Sequence, residues 1–276
     1  MKLCAVVITY FPNVDETREN ILRYIDDVEH VIVWENTPLA EREKHRIQLP
    51  EHQSKVSYMG ADENRGIAYP LNKAIEWAGE NGYTHVMTMD QDSSWHNFKI
   101  FRKEIENCSD DRVAMFTPTI YNNIDNRQLE LVPPITSGAV HPISVFSSIG
   151  YFCEEYFIDA IDHEFYYRIL LNSFTVSHIP SARLNHSLGY KQRRRFLMFS
   201  MVSSNYSAFR LYHMVRNNIW MYKKYCHETV LPKGFVKQLI SEVIFKPAVK
   251  IVLVEDGKWA KLKAIFKGIR DGIKRA

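Results

Sequence analysis

The stretch His85-Val86-Met87-Thr88-Met89-Asp90-Gln91-Asp92-Ser93 decides how this chain is read. It is an apolar, strand-like run that stops at two carboxylates with one residue between them. Side chains alternate along an extended chain, and a turn beginning at Gln91 brings both carboxylates toward one pocket. Oxygen ligands of that kind suit Mg²⁺ or Mn²⁺, ions that keep positions open for substrate phosphates. The plainer reading is that Asp90 and Asp92 end the strand and cap the next helix, since Asp and Ser are common in both roles. The triplet alone does not choose between the two, so its surroundings must.

Working outward, apolar runs of strand length alternate with segments of helical period, the βαβ pattern of an α/β sheet with parallel strands. Leu3 to Thr9 reads as the first strand. Asn13 with Glu16 three positions on resembles a helix N-terminus, and Ile21, Leu22, Ile25 and Val28 follow at helical spacing. His30 to Trp34 and Val56 to Met59 are the next strands. A helix carrying Leu71, Ala74, Ile75 and Ala78 then leads through Gly79 and Gly82 into the strand ending at Asp90. Phe98 to Ile105 is expected as a helix and Val113 to Thr117 as a strand.

In an open α/β sheet a ligand sits outside the carboxyl ends of the strands. Those ends are Thr9-Tyr10-Phe11-Pro12, Glu35-Asn36-Thr37, Asp62-Glu63-Asn64-Arg65-Gly66 and Asp90-Gln91-Asp92, the polar and aromatic lining that a nucleotide requires. Neither G-x-G-x-x-G nor G-x-x-x-x-G-K-[ST] occurs, so the dinucleotide and P-loop signatures are missing. A metal clamp in place of a glycine loop remains.

The 276 residues, 46% of them hydrophobic, suffice for one large domain with an appendage. Cys4, Cys108, Cys153 and Cys226 form no C-x-x-C pair, so a reduced, cytoplasmic setting is expected. The N-terminus lacks a basic leader and cleavage site, and no run has the length of a membrane span. The net charge of +3 hides an asymmetry. Residues 1–182 hold 15 Lys+Arg against 27 Asp+Glu, a balance of −12, whereas 183–276 hold 20 against 5, a balance of +15. A C-terminal third of that sign faces phosphates, nucleic acid or an acidic membrane.

Further along, three carboxylates crowd Asp159-x-x-Asp162-x-Glu164 within a segment rich in Phe, Ile and Tyr. On a helix beginning near Ala160, Asp162 and Glu164 point in different directions and do not share one task. Acids at a helix N-terminus are also favoured by the helix dipole. A carboxylate partly desolvated among aromatics gains a raised pKa, which suits a proton acceptor.

Taken in order, the motifs resemble the inverting glycosyltransferases of family 2, with the GT-A fold, and most closely their bacterial rhamnosyltransferase branch. The pieces are Val7-Ile8-Thr9-Tyr10, Glu35-Asn36-Thr37, Asn64-Arg65-Gly66-Ile67-Ala68 with Asn72, and Asp90-Gln91-Asp92-Ser93. Thr136-Ser137-Gly138, Phe157 to Phe165 with Arg168, His186 with Gly189, and Arg210 to Asn217 follow. The resemblance implies an α/β, Rossmann-like mixed sheet flanked by helices in residues 1–190. Its donor half would span about 1–118 and its acceptor half about 119–190, ahead of a basic helical region at 191–276.

It implies further that Thr9, Tyr10, Glu35, Asn64, Gly66 and Arg216 contact a sugar-nucleotide donor. Glu35 stands where the broader family often has Asp. Asp90 would lie near the ribose and the metal, Asp92 would be the principal ligand of Mg²⁺ or Mn²⁺, and His186 a third ligand or a diphosphate contact. Asp162 would be the catalytic base and Glu164 an acceptor contact or the partner of Arg168, with Ser137 and Gly138 beside the acceptor. The donor it implies is dTDP-rhamnose, or failing that a UDP-sugar. The acceptor would be a glycan or a polyprenyl-diphosphate-linked glycan in cell-surface polysaccharide synthesis, a setting peripheral to the inner face of the plasma membrane.

From Lys246 onward, 9 Lys+Arg accompany 3 Asp+Glu, and Trp259, Leu262, Phe266, Ile269 and Ile273 recur at helical spacing. This basic amphipathic helix either lies on an anionic membrane or docks its stripe on the catalytic domain or on a second subunit as a homodimer. Two rival functions stand beside glycosyl transfer. One is a nucleotidyltransferase; the other is a non-enzymatic protein binding anionic membrane or nucleic acid. No nucleic-acid motif is visible, and nucleic acid is not expected as a partner.

Overall fold

The computed structural model describes residues 1–187, 192–196 and 199–274. Gly189 lies outside the described residues, as do the side chains of Gln192, Arg194 and Arg195. The chain divides into two units, Met1–Glu154 with Arg168–Ser187, and Glu155–Tyr167 with Leu188–Ala276.

The first unit is built on a nine-stranded mixed sheet. Its strands are β1 (Leu3–Thr9), β2 (His30–Glu35), β3 (Val56–Met59), β4 (His85–Asp90), β5 (Ser94–Trp95), β6 (Val113–Asn122), β7 (Gln128–Leu129), β8 (Ala139–Pro142) and β9 (Thr175–His186). Their order is β3-β2-β1-β4-β8-β6-β9-β5, with β7 paired to β6. The β3-β2-β1-β4 half is parallel, as the alternating pattern predicts. The other half mixes directions, β8 running antiparallel to β4 and β6 while β9 runs parallel to β6. All seven residues of β1 are buried, the consequence of an apolar run covered on both faces rather than an alternating one.

The helices that serve this sheet are α1 (Val14–Leu22), α2 (Leu39–Arg42), α3 (Ala68–Glu80), α4 (Phe98–Glu106) and α5 (Ser144–Ile149). Helix α6 (Ile161–Leu171) starts in the second unit and ends in the first. Asn13 caps α1, its side chain accepting from Glu16 N, as its spacing from Glu16 predicts. The periodic run through Val28 is not one helix, however. The chain leaves α1 after Leu22, buries Tyr24, and closes a single 3₁₀ turn at Ile25–Asp27 before β2. Leu22 is consequently exposed while Ile21, Ile25 and Val28 enter the core. Strand β6 runs five residues beyond the expected Thr117, its pairing with β9 shifting register at Pro118/Thr119. A proline lacks the ladder donor and survives inside a strand where the register slips. The core of this unit joins Leu3, Ala5, Val7, Val31, Val33, Met87 and Met89 to Trp95, Phe98 and Phe101.

In the second unit, β10 (Gln192–Phe196) and β11 (Phe199–Ser203) pair antiparallel. Helices α7 (Ala208–Tyr225), α8 (Phe235–Gln238), α9 (Lys246–Val254) and α10 (Lys258–Lys274) follow, with a π-helical stretch at Leu239–Phe245. Ser207 caps α7 through Arg210 N. A small core of Leu211, Val215, Ile219, Leu239, Ile251 and Ile265 unites these helices. The five apolar residues of α10 do not form one stripe. Leu262 and Ile269 pack on that core, whereas Trp259, Phe266 and Ile273 are exposed. All four cysteines are free, and burial pushes the Cys4 thiol up to about 12. Among the described residues no helix is long and apolar enough to cross a membrane.

Candidate active site and metal centre

Strand β4 delivers Asp90 to the carboxyl edge of the sheet, and the chain turns at Gln91 and Asp92 before β5. The Gln91 side chain goes the other way. Its Oε1 accepts from Tyr10 N at 2.7 Å, its Nε2 donates to Tyr10 O at 3.2 Å, and its backbone carbonyl accepts from Asn20. The middle residue of the triplet thus ties the β4 turn to the loop after β1. This leaves both carboxylates on a common side with His186, at the end of β9.

The Asp90, Asp92 and His186 ligand atoms all lie within 4.8 Å of one another. His186 Nδ1 is 3.9 Å from an Asp90 oxygen and 3.8 Å from an Asp92 oxygen. Asp92 does not cap a helix, because β5 intervenes and α4 begins only at Phe98 with Asn97 as its cap residue.

A buried hydroxyl relay supports this turn. Asp90 N donates to Ser137 Oγ, Ser137 Oγ donates to Ser93 Oγ at 2.7 Å, and Ser93 Oγ lies 2.8 Å from His186 Nδ1. Ser137 is 2% exposed. Gly138, at φ +76°, donates its N–H to Thr88 O at 2.7 Å. A Cβ there would meet Leu184 Cδ2 at 2.6 Å. Both residues expected beside the acceptor therefore sit enclosed behind the carboxylate turn, where they fix the end of β4.

Two carboxylates supply oxygen ligands suited to Mg²⁺ or Mn²⁺, and the imidazole, a transition-metal ligand, favours Mn²⁺ of the two. An octahedral ion with bonds near 2.1 Å holds neighbouring ligands about 3 Å apart and opposite ones about 4 Å apart, so the observed spacing needs little adjustment. A Nδ1 that ligates would give up its contact with Ser93. Three protein ligands leave positions for phosphate oxygens.

The remaining strand ends form a bonded rim. Asn36 N donates to Thr9 O, and Phe11 N donates to Thr37 Oγ1. Thr9 is buried with its hydroxyl on Trp34 O. Asn36 accepts from Arg65 N and donates to Gly66 O at 2.7 Å, locking Gly66 at φ +77°. Asn64 closes an Asx turn onto Gly66 N. Tyr10 and Phe11 are half-exposed and meet edge to face, with Phe11 against His45. Glu35 is buried at the end of β2, and Arg46 donates to both of its oxygens at 3.0 Å. Sequence reasoning passed over the roles of Gln91, Ser93, Asn36 and Arg46. Only Asn36, adjacent to Glu35 in a polar strand end, carried a local signal.

In the second unit, Asp162 lies in the first turn of α6, its carboxylate accepting from His163 N at 2.9 Å. The chain reaches it through three non-glycine residues at positive φ, Phe157, Asp159 and Ala160, a conformation L residues avoid. Three residues of α7, Asn217, Arg210 and Arg216, hold this loop. Asn217 is fully buried, and its Nδ2 donates to the carbonyls of Tyr156, Ile158 and Asp159 at 2.7–2.9 Å. Arg210 embraces the Asp159 carboxylate at 3.0–3.3 Å. Burial nevertheless pushes Asp159 above its ordinary value, with Arg210 opposing.

Arg216 donates to Glu155 O and Tyr156 O and lies over the Trp220 ring. Glu164 is fully buried, accepting from Lys224 at 2.7 Å and from Tyr225 at 2.8 Å. Arg168, itself in the first unit, donates there to Ile149 O and Tyr151 O.

No family model matches the sequence. The chain is 25% identical to dTDP-rhamnosyl transferase RfbF of Shigella flexneri over an alignment of 301 positions, covering 98% of this chain and 95% of that one. Among solved structures it is similar to TarS 1–349 of S. aureus in complex with UDP-GlcNAc, with TM-score 0.61, 14% identity, and 98% and 81% of the two chains covered. It is also similar to the mannosyltransferase PcManGT of Pyrobaculum calidifontis in complex with GDP-Man and Mn2+, with TM-score 0.58, 14% identity, and 100% and 76% covered. Sheet, carboxylate turn and full-length match agree with the resemblance read from the motifs: the chain has the GT-A fold of the glycosyltransferases it is similar to.

Proposed function

We propose that this protein is a metal-assisted, inverting glycosyltransferase that moves L-rhamnose from dTDP-rhamnose to a glycan or lipid-linked glycan. The observation that carries the reading is the Asp90, Asp92 and His186 cluster at the carboxyl edge of a nucleotide-type sheet, in a chain matched end to end by a dTDP-rhamnosyl transferase. In this reading residues 1–190 are catalytic and 191–276 form the basic helical region. The strand-end rim of Thr9, Tyr10, Glu35, Asn64 and Gly66 holds the nucleoside, with Glu35 oriented by Arg46.

Asp92 is the principal ligand of Mg²⁺ or Mn²⁺, helped by Asp90 and His186. When bound, the ion neutralises charge growing on the departing diphosphate. Ser137 and Ser93 hold the carboxylate turn so that its two carboxylates need little reorganisation, and His186 Nδ1 would exchange its Ser93 contact for the ion. The acceptor hydroxyl oxygen bonds to the anomeric carbon as the bond from that carbon to the diphosphate breaks. Asp162 takes the hydroxyl proton, and configuration inverts.

The test is a thermal-shift screen of sugar nucleotides with Mn²⁺, followed by a transfer assay. Stabilisation should require both dTDP-rhamnose and the ion, rise with ligand concentration, and vanish in Asp92→Ala. Asp162→Asn should abolish transfer while leaving donor binding near normal. Release of pyrophosphate in place of dTDP would instead identify a nucleotidyltransferase, and no shift with any sugar nucleotide would refute the assignment.

A further inference from the structure

Helix α10 presents three distinct faces. At 100° per residue, and with Trp259 set at zero, Phe266 and Ile273 fall within about 40° of it. Lys261, Ile265, Gly268 and Gly272 occupy the arc from about 180° to 240°, the face turned to α7. Lys263, Lys267, Arg270 and Lys274 fill the arc from about 20° to 80°, immediately beside the Trp259 stripe.

The inner face is fixed. A Cβ on Gly268 would stand 2.8 Å from Tyr212 O, and one on Gly272 would stand 2.9 Å from Ile219 Cβ. Lys261 is held inside by Glu255 at 2.7 Å and by Asn205. The helix therefore cannot roll to bury its outer side chains within its own unit. Trp259 is 86% exposed, Phe266 74% and Ile273 61%, so three large apolar groups form a ridge over two heptads.

We propose that this ridge docks in the plane of an anionic bilayer surface, Trp259, Phe266 and Ile273 entering the acyl boundary while Lys263, Lys267, Arg270 and Lys274 meet lipid phosphates. Charge selects this occupant. Residues 258–274 carry six Lys or Arg and one acid, Asp271, which Tyr212 and Arg270 already engage. An apolar stripe bordered by cations is the arrangement of an interfacial helix. A second copy of the chain meeting ridge to ridge with the helices antiparallel would bring the two lysine rows together, and with the helices parallel would still pair two segments of net positive charge, which opposes association. The proposal is independent of the sugar-transfer reading.

The test is flotation of the full chain with phosphatidylcholine vesicles, with and without a third of phosphatidylglycerol. The expected result is binding to the anionic vesicles alone, weakening as salt rises. Two variants separate the contributions: Trp259→Ser with Phe266→Ser and Ile273→Ser, and Lys263→Glu with Lys274→Glu, sparing Lys267, which lies 5.1 Å over the Tyr212 ring. Each should lose binding by roughly tenfold or more while melting like the parent, because the altered side chains are exposed. Absence of binding to anionic vesicles at low salt would overturn the proposal, as would binding that neither variant reduces. Sedimentation velocity showing a dimer that the serine variant dissolves, with no vesicle binding, would overturn it in favour of a second copy.

Discussion

Replacing Asn217 tests whether one α7 amide holds the loop that leads to Asp162. Its Nδ2 carries two hydrogens and serves three carbonyls at 2.7–2.9 Å, so one hydrogen is shared and the equivalent of two full bonds is at stake. The residue is fully buried, and Asn217→Ala removes that donor from the Ile158 and Asp159 carbonyls, while Tyr156 O keeps Arg216 and the Ile158 N–H. At about 1.5 kcal/mol for each bond lost and left unmade, the cost is about 3 kcal/mol. The loop is also strained, with Phe157, Asp159 and Ala160 held at positive φ, so loss of the clamp favours its opening.

Hydrogen exchange followed by mass spectrometry on residues 155–167 reads the effect locally, which avoids assuming that a two-unit chain unfolds in one step. Exchange there should accelerate by roughly a hundredfold, while amides of β1 and β4 stay as protected as in the parent. Asn217→Asp is the sharper variant. It turns a carboxylate toward three carbonyl oxygens, so it should cost at least as much despite the neighbouring Arg216 guanidinium, which already donates to the Asn217 oxygen. Exchange in either variant within about twofold of the parent, an effect of about 0.4 kcal/mol, would refute the clamp.

Three further outcomes follow from other parts of the molecule. Gly138→Ala must place an alanine at φ +76° with its Cβ against Leu184, costing about 2–4 kcal/mol, and it should weaken Mn²⁺ binding as the end of β4 moves; calorimetric titration with Mn²⁺ and a denaturation midpoint check both. Gly272→Val drives a branched side chain into Ile219 and should destabilise the second unit by about 2–3 kcal/mol, read as faster exchange in α7 with the sheet unaffected. Burial lowers the pKa of His141, His85 and His213 to about 4, so the folded chain keeps them neutral where an unfolded chain begins to protonate near 6.5. Stability is therefore full above pH 6.5 and falls as pH drops toward 4. His141, fully buried, contributes up to about 1.4 kcal/mol per pH unit, and His141→Gln should flatten that slope in urea titrations at pH 4 to 7.

What the sequence disclosed follows from which interactions are local. The parallel half of the sheet was legible because β1 to β4 are apolar runs punctuated by turn residues, and β1, β3 and β4 begin and end where those runs do. The Asp90 and Asp92 turn was legible as a pair of carboxylates, and its imidazole neighbour through the motif order. Nothing local could show that Gln91 faces the β1 loop, because its partner Tyr10 is 81 residues away. Ser137 was read as an acceptor contact from its motif, and nothing local could show that its hydroxyl bonds across 44 residues to Ser93. Asn217 looked like one polar residue in a basic helix, and its work depends on carbonyls 58 to 61 residues earlier.

The amphipathic pattern of α10 illustrates the same limit from the other side. Periodicity finds apolar positions, but it cannot separate those that meet a neighbour from those that face outward. Gly268 and Gly272 make that separation, because their missing side chains let α7 approach and fix the rotation of the helix. Small residues spaced by four on one arc and large apolar ones spaced by seven on another are thus a readable code. The first marks the face already packed, and the second marks the face left exposed, which on this chain is the one proposed to meet an anionic bilayer.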